Sequence, residues 1–364
     1  MKNVLKIDWI LLTSIVLLLG LSLAILYPIS YSGGDPNGDK DHFFKQLIFA
    51  GVALVVFFSL SFFDYRGLKN YSTALFLFGT LLLLLVLFFG KVIRGTSGWI
   101  GFGGFHLQPV EPFKVIIAVA LARYFSVHSR TIKEPRHIFI SFVPVFLSML
   151  LILWQPDLGS ALVIFSVWFG ILIIAGVEKK YFLALIVICA IVAALSWGLF
   201  LKDYQKERIM TVFNPLSDPS GSGYNVIQSI VAVGSGGMWG KGLGHGSQSQ
   251  LNFIPEKHTD FIFAVASEEL GMGGAVFVMA LFMVIIYRLV KIAQNSRDNF
   301  GKLLASAMAI IIFVQVVINI GMNIGILPVA GIPLPFMSYG GSSLISMIAA
   351  LGIAEGIYRK SLAG

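Results

Sequence analysis

Asp260 is the residue of this sequence best placed to do chemistry. It closes the polar run Phe253-Ile254-Pro255-Glu256-Lys257-His258-Thr259-Asp260 and stands against a long apolar stretch that begins at Phe261. A carboxylate at such a boundary can take a proton from a hydroxyl nucleophile as a general base. It can equally cap a helix or occupy its first turn, where the dipole favours an anion. The dipole would keep it ionised and ready to accept a bond. Lys257 and His258 add positive charge beside it, and Thr259 adds a hydroxyl. Glu268 lies eight residues on, two helical turns along the same face, followed by Glu269. Capping does not explain an acid that deep, so the two carboxylates predict a polar groove entering the membrane.

Three further charge sets carry chemistry of their own. Glu111 and Lys114, in Gln108-Pro109-Val110-Glu111-Pro112-Phe113-Lys114, are three apart and share a helix face. They form either an internal salt bridge that lets a polar helix insert, or a charged lining of a hydrophilic cavity. Asp157, in Trp154-Gln155-Pro156-Asp157-Leu158-Gly159-Ser160, caps the next helix or contributes to a site. Arg208, in Lys206-Glu207-Arg208-Ile209, is a solvated loop charge or a bidentate contact for an anionic headgroup. Ser338 follows Pro328, Pro333 and Pro335, which forbid a regular helix there. Irregular backbone at membrane depth is tolerated only when buried in protein or lining a cavity. Gly240-Lys241-Gly242 lacks the P-loop pattern, because Ser235 and Gly242 stand where Gly and Ser/Thr are needed, so it reads as a flexible turn.

These residues must be positioned by helices in lipid. The chain is 57% hydrophobic and 12% charged, far from the roughly 25% charge of soluble domains. It reads as an all-α polytopic membrane protein, a single integral membrane domain over 1–364. Apolar runs predict ten spans, near 8–29, 44–63, 71–90, 110–126, 137–154, 158–177, 181–201, 261–290, 303–326 and 337–358. Residues 202–260 form a large extracytoplasmic loop between spans 7 and 8, too long for a plain connector. Its stretch 224–233 is apolar enough for an interfacial or re-entrant helix. Sixteen of the 26 basic residues fall in short connections on one side, including Arg66/Lys69, Arg130/Arg136 and Arg359/Lys360. That bias puts both termini in the cytoplasm. The net charge of +8 is therefore no sign of nucleic-acid binding. Cys189 is alone, so there is no intrachain disulfide and no Cys/His metal pattern.

The chain resembles the SEDS family, the bacterial shape, elongation, division and sporulation proteins. The stretches that carry the likeness are Gly98-Trp99-Ile100, Gln108 to Lys114, Gln155-Pro156-Asp157-Leu158-Gly159, Pro255 to Ala264, Glu268-Glu269-Leu270-Gly271, Gly331-Ile332-Pro333-Leu334-Pro335 and Ser338-Tyr339-Gly340-Gly341-Ser342-Ser343. Lys257 and the Gly331–Pro335 wording stand nearer the rod-shape elongation members than the division members. Thr96-Ser97 and Val110 depart from the usual pattern. The resemblance implies a ten-span fold in the bacterial inner membrane and peptidoglycan glycosyltransferase activity. It implies lipid II and the nascent glycan strand as ligands. Its implied protein partners are a class B penicillin-binding protein and other elongation-complex membrane proteins. The family's essential aspartate falls on Asp260, and its paired charges fall on Glu111 and Lys114. On that reading Asp260 deprotonates the acceptor 4-hydroxyl, with the donor pyrophosphate met by Arg208, Lys114 or a divalent cation, Mg²⁺ or Mn²⁺. Two rivals stay open: a lipid II flippase, which broken helices and polar spans also fit, and a non-catalytic scaffold for the transpeptidase.

Overall fold

The computed structural model describes residues 7–32, 40–93, 96–102, 105–132, 134–199, 203–215 and 222–362. All ten expected spans coincide with helices: α1 (Trp9–Ser32), α2 (Lys40–Phe62), α3 (Arg66–Phe89), α4 (Val110–Val127), α5 (Arg136–Trp154), α6 (Leu158–Ala175), α7 (Lys179–Leu199), then α11 (Ile262–Gln294), α12 (Asn299–Asn323) and α13 (Gly341–Leu362). Between α7 and α11 lie α8 (Asp203–Phe213), α9 (Ser222–Ser235) and α10 (Ser247–Gln250). Among the described residues, eight helices are long and apolar enough to cross a membrane. In lipid a helix satisfies every backbone group internally, which is why apolar runs of this length fold this way.

α12 is the central pillar. It packs against α4, α6, α11 and α13, and its buried face from Leu303 to Ile312 is alanine and aliphatic apart from Ser306. α4 carries Glu111, Lys114 and Arg123, and it is buried by α3, α6 and α12. Glu111 and Lys114 are thereby kept off the lipid.

Three features were not anticipated from sequence. A small antiparallel sheet, β1 (Lys91–Ile93), β2 (Thr96–Phe102) and β3 (Phe105–Leu107), links α3 to α4. Trp99 pairs with Lys91 and Ile100 with Leu107. It delivers the start of α4: the Gln108 N–H donates to Ser342 Oγ at 3.0 Å, at the head of α13.

Second, α11 is not one continuous span. Gly271 has φ 68° and ψ −168°, which breaks the helix there. The ladder bonds that should run from 272 to 268 and from 273 to 269 are replaced. Glu268 and Glu269 carbonyls accept from Lys241 N (3.0 Å) and Gly242 N (2.9 Å), while Met272 N and Gly273 N donate to Gly237 O (2.8 Å) and Met238 O (3.2 Å). Segment 237–242 therefore straps the break and satisfies all four groups. A Cβ on Gly240 would stand 2.2 Å from the Glu269 oxygen, and one on Gly271 would stand 2.3 Å from the Gly240 nitrogen. Only glycine permits that approach. The Gly240-Lys241-Gly242 run is thus a clamp, where the sequence had suggested a flexible turn.

Third, the helix expected at 224–233 is α9, and what was not anticipated is its packing against α11 and α12. Val226, Ser229 and Ala232, three apart, form its buried face, and Ser229 Oγ donates to the Asn323 carbonyl at 2.7 Å.

Candidate active site

Two irregular segments meet where α11 begins. One is 254–261 and the other is the proline-broken run 324–340. Glu256 (φ 49°) and Phe336 (φ 65°) both hold left-handed backbone, one in each segment. Such outliers persist only where surrounding structure over-determines them. Here the joint does so. Tyr339 N donates to the His258 carbonyl at 2.8 Å. Ser338 Oγ donates to the Thr259 carbonyl and accepts from Leu334 N at 2.7 Å. Gln46 of α2 donates to the Ser338 carbonyl at 3.2 Å.

Asp260 sits in this joint, half-buried. The helix cap is Phe261, with no side-chain cap bond, so Asp260 is neither cap nor first-turn residue. Its carbonyl accepts from Asn319 Nδ2 and Asn323 Nδ2, both at 3.0 Å. Asn319 Nδ2 also donates to the Ile332 carbonyl at 2.8 Å, and Asn323 Oδ1 accepts from Ala264 N at 3.0 Å. Two amides one turn apart on α12 thus fix both segments that flank the carboxylate. Gly331 (φ 65°) backs it, its Cβ position lying 3.8 Å from Asp260 Oδ2.

The second charge group adjoins the same run. Gly159, at the start of α6, abuts residue 330 so closely that a Cβ would lie 2.6 Å from the Ala330 oxygen. Two residues earlier, Asp157 caps α6, accepting from Ser160 N at 2.9 Å, and its other oxygen meets Gln108 Nε2 at 3.5 Å. Burial raises the Asp157 carboxyl above its ordinary range; Lys114 pulls it down and Glu111 pushes it up, so both charges act on it. Lys114 Nζ bonds Glu111 Oε1 at 2.8 Å, with side chains 0% and 2% exposed. Among the described residues, Glu111 Oε2 has no hydrogen-bond partner. The pair is an internal salt bridge with one acceptor left open.

The remaining predicted residues divide. His258 is half-buried and stacks on His42 (centroids 4.6 Å), which meets Tyr339 edge-on at 4.3 Å. Its Nε2 lies 3.8 Å from Glu256 Oε2. Thr259 and Ser338 are placed inside the joint: Thr259 Oγ1 donates to Glu256 O (3.3 Å) and Oε2 (3.2 Å), so both hydroxyls are engaged by protein. Both hydroxyls hold the backbone of the joint together. The Glu268 carboxylate takes Lys241 Nζ (2.8 Å), Gln248 N (2.9 Å) and Ser249 N (3.0 Å). It pins the strap and α10. Arg208 lies on α8, and its side chain is outside the described residues. Missed from sequence were Asn319, Asn323, Gln46 and His42. Gln315, Asn319 and Asn323, four apart on an apolar helix, were the available signal, for such a polar stripe must face an interior.

The FtsW/RodA/SpoVE profile, described as a cell cycle protein, matches residues 8–362. The chain belongs to the SEDS family. The peptidoglycan glycosyltransferase MrdB of Escherichia coli K12 is 37% identical over 96% of this chain and 94% of its own. Stage V sporulation protein E of Bacillus subtilis is 38% identical, covering 97% of each. A solved structure on the coordination of polymerization and crosslinking by a peptidoglycan synthase complex contains a chain with TM-score 0.84 and 32% identity, covering 99% of this chain and 100% of that one. The SEDS chain described here is a helical, polytopic membrane protein.

Proposed function

We propose that this protein is a peptidoglycan glycosyltransferase that polymerises lipid II, with Asp260 as general base. The observation that supports the reading is the Asp260 joint: a half-buried acid whose backbone carbonyl is fixed by Asn319 and Asn323, beside the run that abuts Gly159, two residues from Asp157. The names of its relatives support the activity. The acceptor 4-hydroxyl attacks the anomeric carbon of the donor. Asp260 takes its proton, the bond from that carbon to the lipid pyrophosphate breaks, and an α-linked donor becomes a β-1,4 link. Proton transfer of this kind contributes roughly 10²–10⁴ in rate. In our reading Arg208, Lys114 or a divalent cation supplies positive potential for the pyrophosphate.

Among the described residues, no group of three or more His, Cys, Asp or Glu could hold a metal ion. A divalent cation would fit here with Asp260 as its protein ligand and the pyrophosphate oxygens as the others. The chain would work in the bacterial inner membrane, both termini cytoplasmic, beside a class B penicillin-binding protein and other elongation-complex proteins. The synthase complex to which its fold is similar supports such a partnership.

The test is reconstitution. Purified protein in liposomes, with partner transpeptidase blocked, receives lipid II. Glycan polymer from wild type supports catalysis. Translocated lipid II without polymer points to a flippase, and neither product points to a scaffold.

A further inference from the structure

A cavity lies at the other end of the bundle. It has a volume of about 410 Å³ and opens between α3, α4 and α5. The lining residues come from the first half of α3, the last turns of α4 and the first half of α5. All three stretches sit at the end marked by loops 63–65 and 128–135, remote in the chain from Asp260. Its lining has two characters. Phe76, Leu121 and Ile140 are apolar, whereas Thr73, Arg123 and His128 are polar or cationic. Thr73 and Ile140 are exposed, so the mouth faces the surroundings of the bundle.

Arg123 is the informative residue. Its guanidinium donates to Thr73 Oγ1 and, among the described residues, forms no ion pair. Three other buried or half-buried cations are paired: Lys114 with Glu111, Lys241 with Glu268, Arg288 with Asp8. A guanidinium inside a span without a counter-charge is costly, and such residues mark a ligand or pathway. Lys69 lies one turn from Thr73 on α3, and Arg130 lies in the loop after α4, so the local field is positive. His128 Nδ1 is engaged with the Tyr124 carbonyl at 2.9 Å, and its ring packs on Tyr124 and His137. That packing stiffens the polar rim beside Arg123.

We propose that this cavity is a binding site for an anionic glycerophospholipid of the leaflet nearest the termini. The Arg123 guanidinium takes the phosphate in its fork, and an acyl chain lies along Phe76, Leu121 and Ile140. Charge complementarity selects the occupant: an apolar slot ending in an unpaired cation matches a lipid tail ending in a phosphate, and basic pockets between spans hold such headgroups.

Native mass spectrometry of the whole protein, offered equal amounts of phosphatidylglycerol and phosphatidylcholine, tests this. Wild type should retain phosphatidylglycerol preferentially. R123Q should lower that retention about tenfold, as expected for loss of a charged hydrogen-bonding group. A120W, which fills the slot and leaves Arg123 in place, should lower it as well, and decides the matter if R123Q folds poorly. Equal retention by wild type and A120W overturns the proposal. So does equal retention of the two lipids, or displacement of the bound lipid by inorganic phosphate, which would mark a simple anion site.

Discussion

Asp260 is anchored through its own carbonyl, which takes two amide donors from α12. Replacing Asn319 with Leu orphans the Ile332 carbonyl, at about 1–3 kcal/mol, and removes one of the two donors to the Asp260 carbonyl. We expect polymerisation to fall at least tenfold, with the loss in kcat and little change in KM, since the variant displaces the base and leaves the lipid contacts intact. Steady-state assays across lipid II concentrations read that split; a pure KM effect would contradict it. The Glu111–Lys114 pair makes a different prediction. Glu111→Gln strands a buried ammonium and should destabilise the protein by about 3–5 kcal/mol, whereas the double variant Glu111→Gln/Lys114→Met should recover much of this. Thermal unfolding in detergent measures both. Asp157 sets a pH trend. Its carboxyl is raised by burial, so the unfolded chain ionises first as pH rises. Stability attributable to Asp157 therefore falls from the ordinary carboxylate range up to its raised value. Asp157→Asn should flatten that slope.

At the scale of elements, the strap across α11 is the device most exposed to test. Gly240→Ala would place a methyl against the Glu269 carbonyl at a backbone φ of 79°. It should open segment 237–242 and speed amide exchange at Met272 and Gly273, whose donors the strap receives. Unchanged exchange there would contradict the described pairing. The same element shows how far the sequence could be read. The ten spans were legible because an apolar run of about 20 residues has no other stable home. The break at Gly271 was not, because a single glycine in an apolar helix is ordinarily tolerated and its partner strap lies some thirty residues away. The sheet of 91–107 was not legible either: Gly98 and Gly101 blur the alternation of β2, and its strands are too short to signal alone. Asp260, Glu111 and Lys114 stood out as charges in apolar surroundings. The residues that hold Asp260 did not, since an amide is a quieter signal than a charge and their role depends on a contact made some sixty residues apart.

At the scale of the molecule, the proposed topology would put Asp260 on the outer face, where a lipid-linked sugar is used, and Arg123 on the inner one. That orientation rests on the distribution of Lys and Arg. In a Cys189→Ala background, Trp239→Cys should react with an impermeant thiol reagent on intact cells, because Trp239 is 92% exposed in the loop before α11. Asn295→Cys, between α11 and α12, should react only after permeabilisation. Reversed labelling would move the whole site to the wrong compartment. The central claim is that Asp260 performs the chemical step, and the most direct measurement is the initial rate of glycan polymerisation from lipid II by wild type and Asp260→Asn, matched for folding and lipid II binding. The account predicts a loss of roughly 10²–10⁴ in rate with lipid II still bound; equal rates would contradict it.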